Sequence, residues 1–421
     1  MKASVLAGFA TGVAVMLGGA SKVSATPRVE VLHWWTSQGE AAALATLRGA
    51  AEADGLQWKE SPIVGGGGEQ AMRTLKARVD AGIAPTAVQV MGLEVHEWAK
   101  KGALTNLNDL AAKEGWDKVV PPALQKFSKY DNKWVAVPVN VHSYNWVWAN
   151  SDVLAKAGVT GEPKTWEQFI AAAEKAKAAG YVGLAHGGQP WQTAMVFDGV
   201  VLATGGADFY RKAFIERQRS ALSSPTMKKV FVRMTQLQSL VDKDSNGRDW
   251  NFASAMVIGG RAAFQIMGDF AKGEFLAAGK VPGKDFLCFR LPGSQGAVSF
   301  GLDNFAMFAV QGVDAVAGQQ RLAKVMLDKK FQSDFNVIKG SVPARMDVSD
   351  AAFDACGKRG IKELAEASRK NALVGTVVFG HAVAAPLKNS IIDIVDQHFK
   401  GQINDDQAVA AMSTALRPIT P

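Results

Sequence analysis

The chain has 421 residues and a formal net charge of +8 at pH 7, from 47 lysines and arginines against 39 aspartates and glutamates. This excess is small for the length, and lysines such as Lys164, Lys175 and Lys177 are scattered, which favours solvated faces over a nucleic-acid groove. Two cysteines and six dispersed histidines lack the spacing of a zinc site, so we expect no metal, no other cofactor and no nucleic-acid partner.

The first 25 residues predict a secretory signal. Lys2 supplies a positive start, residues 5–20 are an apolar run, and Val23-Ser24-Ala25 places small residues at a cleavage site. The alternative is a buried N-terminal helix, but four glycines make this a poor helical sequence. The segment has no cysteine for a lipid anchor, and no later stretch reaches membrane-spanning length, so we expect a soluble, exported protein.

Strands and helices alternate through the remaining chain. The predicted strands are residues 29–33, 87–90, 133–139, 146–149, 181–185, 262–267 and 284–290. The predicted helices include residues 40–53, 95–101 and 165–179, and the chain from residue 314 onward is mainly helical. Ser37 with Glu40, and Thr165 with Gln168, have the spacing of a helix capping box. This alternation predicts α/β layers with strands covered on both faces.

Three further strand-like segments, 135–141, 298–305 and 341–345, are rich in Val, Phe and Pro. Each lies between blocks large enough to be half a lobe. Three crossovers between two α/β lobes would form a hinge that opens and closes around a ligand.

Five segments together resemble one protein family, in order and over essentially the whole chain after the signal. They read VEVLHWWTSQGEAAAL, KTWEQFIAAAEKAKAAG, GRAAFQIMGDFAKGEF, SFGLDNFAMF and VIKGSVPARMD. They resemble the glucose-binding branch of the periplasmic sugar-binding proteins of bacterial ABC transporters and, more distantly, the maltose-binding-protein fold. The resemblance implies a monosaccharide, D-glucose or a related aldose, bound between two lobes and delivered to a membrane permease. It also implies a monomer that is not an enzyme.

The resemblance implies a fold class and lobe boundaries. We expect an α/β periplasmic binding protein of the second type, with two lobes and three hinge crossovers. After the signal at 1–25, the first lobe would take residues 26–137 and 301–345. The second lobe would take residues 138–300 and 346–421.

A pyranose needs aromatic planes for its C–H faces and charged or amide groups for its hydroxyls. The chain has 11 tryptophans against 4 tyrosines. Trp34 and Trp35 leave the first strand before a helix, where α/β folds bind ligands, although strand alternation leaves one of them as a core candidate. Glu40 matches an acidic position that the family uses for sugar hydroxyls, and the capping box alone would also explain it.

The expected second-lobe contacts follow strands. Gln189 and Trp191 resemble the polar-Pro-aromatic segment of the maltose branch, although Trp191 could equally pack under its helix. Trp250 lies in the polar segment Gly-Arg-Asp-Trp-Asn, predicted as a loop, where stacking on sugar explains the indole better than packing does. Asp269 follows a strand end and is a further candidate, although loop carboxylates are usually solvated.

Asp303 and Asn304 lie inside an apolar run at 300–310. A buried carboxylate there needs a partner, either a sugar hydroxyl, which we favour, or backbone amides at the hinge. Lys339 and His381 match positions where the family has sugar-contacting groups, and the prediction for His381 depends on that resemblance.

One position bears on the identity of the sugar. Met91 stands where glucose-specific members carry a polar side chain, and a thioether cannot hold a hydroxyl as an ammonium can. This departure leaves room for another aldose or a glycoside.

The glycine run 65–68 lacks the lysine and hydroxyl residue of a phosphate-binding loop, so we expect a flexible loop near the cleft.

Two other functions share these features. A secreted glycoside hydrolase would also be rich in tryptophan and carboxylates, and Glu40 and Asp303 could be offered as its pair, although neither lies in a recognisable catalytic motif. A chemosensory or adhesion module would differ only in its partner. Finally, export to an oxidising compartment favours a disulfide between Cys288 and Cys356 in the second lobe, with two buried thiols as the alternative.

Overall fold

The structure is a computed structural model that describes residues 26–417. The predicted signal at 1–25 lies outside the described residues, as do residues 418–421. Across 26–417, no helix combines the length and apolar character needed to cross a membrane. Within the same range, no group of three or more His, Cys, Asp or Glu side chains is placed to hold a metal ion.

The described strands follow the chain as β1 Arg28–His33, β2 Gln57–Pro62, β3 Ala87–Met91, β4 Lys129–Tyr130, β5 Lys133–Trp134, β6 Ala136–Pro138, β7 His142–Ser143, β8 Trp146–Asn150, β9 Val182–Ala185, β10 Ala262–Met267, β11 Phe286–Arg290, β12 Val298–Gly301, β13 Asp303–Met307 and β14 Leu373–Gly375.

The described helices are α1 Gln38–Ala53, α2 Glu69–Asp80, α3 Glu94–Lys100, α4 Asn108–Glu114, α5 Trp116–Val119, α6 Pro122–Gln125, α7 Ser151–Lys156, α8 Trp166–Ala178, α9 Pro190–Tyr210, α10 Arg219–Leu222, α11 Pro225–Gln238, α12 Trp250–Ile258, α13 Ala271–Ala277, α14 Val313–Met326, α15 Lys329–Lys339, α16 Ala355–Arg369, α17 Ala385–Phe399 and α18 Asp405–Ala415. Gly66–Gly68 adds a 3-10 turn and Arg211–Ile215 a π-helical turn. Both predicted capping boxes, at the starts of α1 and α8, are confirmed.

Separate sheets form the centres of two lobes. The first lobe contains the order β2-β1-β3-β13-β6, in which β1 pairs in parallel with β2 and β3, and β13 runs antiparallel to β3 and β6. The second lobe contains the orders β11-β8-β10-β9 and β14-β12-β7. Strands β3 and β10 are buried at every residue, as expected for strands that have helices on both faces.

The chain passes between the lobes three times. It goes from β6 to β7, returns from β12 to β13 across Leu302, and goes again from α15, which packs on α1, to α16, which packs on β12 and β14. Two backbone hydrogen bonds of 2.7 and 3.0 Å join Val141 to Val342, so the first and third crossings lie side by side. The predicted two-lobe α/β fold with three crossovers is confirmed.

Local predictions near the hinge need correction. Residues 298–305 form two strands in different lobes rather than one, because the chain changes sheets at Leu302. Residues 341–345 form an irregular segment rather than a strand, since Val342 pairs only with Val141.

The two cysteines form the predicted disulfide. Cys288 lies on β11 and Cys356 at the start of α16, both in the second lobe, with their Cα atoms 6.1 Å apart. The bond therefore ties the segment that returns after the third crossing to the sheet built before it.

Candidate functional site

A cavity lies between the lobes. Seven of the eleven predicted site residues line it: Trp34, Trp35, Glu40, Trp191, Trp250, Asp303 and Lys339. The other lining residues are Gly66, Gly67, Met91, His142, Tyr144, Phe270 and Phe379. Both lobes contribute walls, so a ligand in this space contacts both.

Indole rings form much of the wall, and one of them lies in a different element from the one predicted. Trp35 lines the cavity and also packs edge-on against Phe305, with ring centroids 5.6 Å apart, so it serves both the site and the core. Trp250 is the first residue of α12 rather than part of a loop. Its ring is 4% exposed and packs edge-on against Phe270, with centroids 4.8 Å apart. Its packing partner comes from a distant segment, which the local polar sequence could not reveal.

The glycine run closes one side of the cavity. Gly67 and Gly68 have φ angles of 78° and 79°, a region that side-chain-bearing residues rarely occupy. A Cβ on Gly67 would lie 3.0 Å from Trp191, and one on Gly68 would lie 3.0 Å from Trp34. The loop lies at the cleft, as expected, and it requires glycine because it packs directly on indole rings.

Glu40 and Lys339 form a buried ion pair in the first lobe. The Lys339 ammonium lies 3.2 Å from Glu40 Oε1, and the Ser37 hydroxyl donates to Glu40 Oε2 at 3.0 Å. Glu40 is in the first turn of α1 and Lys339 is the last residue of α15, so each charge is also stabilised by its helix dipole. The pair offers a sugar both an acceptor and a donor while adding no net charge.

Asp303 has three side-chain partners that were not considered from the sequence. Its Oδ1 accepts from Gln89 Nε2 at 2.8 Å, and its Oδ2 accepts from Asn140 Nδ2 and His142 Nε2, each at 2.8 Å. Burial acts to raise the pKa of Asp303, but the adjacent His142 cation outweighs it and holds the pKa at about 2. The carboxylate is therefore ionised, and side chains rather than backbone amides hold it in place.

His142 connects this carboxylate to a second one. Its Nδ1 is hydrogen-bonded to Asp269 Oδ1, and Asp269 Oδ2 accepts from the Ser143 backbone N–H at 2.8 Å. Burial acts to lower the pKa of His142, but the carboxylates of Asp269 and Asp303 raise it to about 9. At neutral pH the ring is an imidazolium between two aspartates.

The remaining four predicted residues are not among those that line this cavity: Gln189, Asp269, Asn304 and His381. Gln189 accepts from Trp191 Nε1 at 2.8 Å, and Asn304 accepts from the Ser128 hydroxyl at 2.6 Å. His381 accepts the Leu302 N–H at 2.9 Å, and burial lowers its pKa to about 3, so its ring is neutral. Direct contact of these four with a ligand stays a prediction.

Asn304 is displaced for a simple reason. Neighbouring residues of a strand point to opposite faces of the sheet. Asp303 therefore faces the cavity while Asn304 faces Ser128. Strand alternation in the sequence could have separated the two.

The residues that hold Asp303 were not among the predicted site residues. Gln89 interrupts the buried strand AVQVM, and Asn140 and His142 interrupt an apolar run. A polar residue in such a run needs a buried partner, which was the available signal. The pairing itself was hidden, because each of these residues is more than 160 positions from Asp303.

Comparison with known proteins gives the family. Residues 40–318 match the bacterial extracellular solute-binding proteins. The chain is 55% identical over 406 residues to a "Probable sugar-binding periplasmic protein" of Rhizobium meliloti (strain 1021), covering 96% of this chain and 97% of that protein. A protein of the same description from Brucella suis biovar 1 (strain 1330) is 52% identical over 414 residues, covering 98% of each chain.

Solved structures agree on the fold. A chitin oligosaccharide binding protein superposes with a TM-score of 0.79 at 21% identity, covering 93% of this chain and 98% of that one. Maltose-bound MalE3 of T. maritima gives a TM-score of 0.76 at 14% identity, covering 92% and 98%. From the match over residues 40–318 and the relatives above 50% identity, the chain belongs to the family of bacterial extracellular solute-binding proteins.

Proposed function

We propose that this protein captures a monosaccharide, D-glucose or a related aldose, between its lobes and delivers it to the permease of an ABC transporter. The coarser part of this assignment, a sugar-binding periplasmic component of such a transporter, follows from the family and from relatives described as sugar-binding periplasmic proteins. The choice of a single sugar ring rests on the site.

The observation that carries the proposal is the lining of the cavity between the lobes. Trp34, Trp35 and Trp250 supply apolar planes, while Glu40 and Asp303 supply acceptors for hydroxyls. Solved relatives include one with a preference for b-D-galactopyranose and one that binds chitin oligosaccharide, so single sugars and longer saccharides both have to be tested.

The charges in the site restrict the class of sugar that it can bind. The two cationic side chains that line the cavity, Lys339 and His142, are each bound to a carboxylate of the site. A sugar phosphate or uronate would have to compete with Glu40 or Asp303 for these cations inside a buried space. The site therefore favours a neutral sugar.

Entry of the ligand calls for separation of the lobes. The Gly39 N–H donates to Glu274 Oε1 at 2.8 Å, and the Leu93 N–H donates to the Gly380 carbonyl at 2.9 Å, in both cases across the cleft. We propose that these contacts form when the lobes rotate about the three crossovers onto bound sugar. The lobe boundaries near residues 138, 301 and 345 remain part of this proposal, supported by the sheet to which each strand belongs.

Binding without catalysis is the function we propose, and the electrostatics argue against a glycoside hydrolase. Such an enzyme needs one carboxylic acid whose pKa is raised so that it can donate a proton. The pKa of Asp303 is lowered to about 2, and Glu40 is paired with Lys339. Incubation with aryl glycosides tests this directly, since release of the aryl alcohol would favour the enzyme.

A thermal-shift panel tests the ligand. D-glucose, D-galactose, D-xylose, maltose, D-glucuronate and glucose 6-phosphate would be compared, because a ligand that binds only the folded state raises the melting temperature. We expect a neutral aldose to give the largest shift, with a dissociation constant at or below the micromolar range, about −8 kcal/mol. A larger shift with maltose would contradict the choice of a single sugar ring, and a panel without any shift would contradict the sugar assignment.

Small-angle scattering tests the hinge. With the sugar that gives the largest thermal shift, we expect a smaller radius of gyration than without it, at the mass of a monomer. An unchanged radius at saturating sugar would contradict the hinge proposal.

A further inference from the structure

His142 occupies an unusual position in the site. It lines the cavity, yet both of its ring nitrogens are bound to carboxylates: Nε2 lies 2.8 Å from Asp303 Oδ2, and Nδ1 is hydrogen-bonded to Asp269 Oδ1. Asp303 begins β13 of the first lobe, and Asp269 follows β10 of the second. His142 is in β7, immediately after the first crossing. A single ring therefore bridges the two lobes at the hinge.

The geometry fixes the protonation of the ring. A neutral imidazole carries one N–H and can donate to only one of the two carboxylates, whereas an imidazolium donates to both. All three side chains are buried, and buried charges are tolerated only when they are paired. An imidazolium between two carboxylates satisfies this requirement.

Asp303 keeps room for a ligand within this arrangement. An ionised carboxylate offers about four acceptor positions, and the protein uses three of them, through Gln89, Asn140 and His142. The remaining position belongs to a carboxylate that lines the cavity. Hydrogen bonds to both oxygens fix the orientation of the Asp303 carboxylate.

We infer that His142 is a positioning residue of the sugar site: shared as an imidazolium between Asp303 and Asp269, it holds the Asp303 carboxylate ionised and oriented toward a sugar hydroxyl and ties it to the second lobe. This inference rests on the proposed function. Its consequence is a pH dependence of sugar affinity. Deprotonation removes one of the two bonds and the cation, so affinity falls as the pH rises through the His142 pKa of about 9.

Other titratable groups also lie around the His142 ring and its two carboxylates. Tyr144 lies beside it, with ring centroids 6.0 Å apart, and burial raises the pKa of this phenol well above 10, so it remains neutral. Lys339 acts on Asp303 from the first lobe and is paired with Glu40. Arg290 acts on Asp269 from β11 and stays charged throughout.

The test uses the pH profile of D-glucose affinity, measured by calorimetry from pH 6.5 to 10 on the full mature chain. In the unaltered protein, affinity should be constant to about pH 8 and then weaken. In His142→Gln it should be at least tenfold weaker and independent of pH up to 9. In Asp269→Asn, which alters a residue outside the cavity wall and removes one carboxylate that raises the His142 pKa, the weakening should begin at a lower pH. His96→Gln, on α3 with its ring bonded to the Lys126 carbonyl, is the matched control.

Nitrogen NMR of the histidine rings, recorded without sugar, measures the protonation state of His142 independently of sugar binding. At pH 8 one histidine should carry protons on both ring nitrogens, titrate near pH 9 and disappear from the spectrum of His142→Gln. A neutral ring at pH 8 would overturn the inference, and so would an Asp269→Asn profile identical to that of the unaltered protein. If every form fails to bind any sugar while the NMR signal is present, the proposed function is overturned and the imidazolium bridge stands.

Discussion

Replacement of Asp303 by alanine is the most direct probe of the site. The substitution removes the acceptor that we propose for a sugar hydroxyl, and a hydrogen bond to a charged group is worth about 3 kcal/mol at most. That loss weakens binding roughly 150-fold. At a sugar concentration about 1,000 times the original dissociation constant, ligand stabilisation would fall from about 4.1 to about 1.2 kcal/mol. Most of the thermal shift should therefore vanish.

The same change has a second, ligand-independent effect. Gln89, Asn140 and His142 would each lose their acceptor on Asp303, and breaking a buried ion pair costs about 3–5 kcal/mol. Differential scanning fluorimetry with and without sugar separates the two effects. Asp303→Asn preserves shape and one acceptor oxygen and should be intermediate, while Asp334→Ala, at an exposed i,i+4 pair on α15, should behave as the unaltered protein does. If Asp303→Ala retained the full ligand shift, our placement of the site would be wrong.

Two further substitutions test the architecture. Gly67→Ala and Gly82→Ala should each lose about 1 kcal/mol of stability, because both glycines have left-handed backbones, with φ of 78° and 74°. Only Gly67→Ala should also weaken sugar binding in calorimetry, because its Cβ would lie 3.0 Å from Trp191, whereas a Cβ on Gly82 would meet open space among the described atoms. Equal sugar affinities of the two variants would contradict this role of the glycine loop. Replacing Cys288 and Cys356 together by serine should lower the free energy of unfolding in urea by about 4 kcal/mol, because the bond closes a loop of 68 residues. Titration of the unfolded, unreduced protein should detect no reactive thiol groups, and two reactive thiols would refute the pairing.

Much of the fold could be predicted from the sequence because its causes are local. The capping boxes at Ser37 and Thr165 depend on residues three positions apart, and strands such as β10 follow from a short apolar run. The order of five family-like segments fixed the two-lobe architecture. Trp34 and Glu40 could also be placed near the cleft, because they follow the carboxyl end of β1.

The details of the site were decided by contacts between distant segments. Asp303 could be recognised as a buried carboxylate, but its partners lie in β3, at the first crossing and, through His142, in the second lobe. Trp250 was predicted as a loop residue from its polar neighbours, whereas it begins α12 and packs against Phe270. Local sequence determines which groups are buried, since that depends on the pattern of one element. Which buried groups meet, and hence the charge and shape that a sugar encounters, is set only when the two lobes pack together.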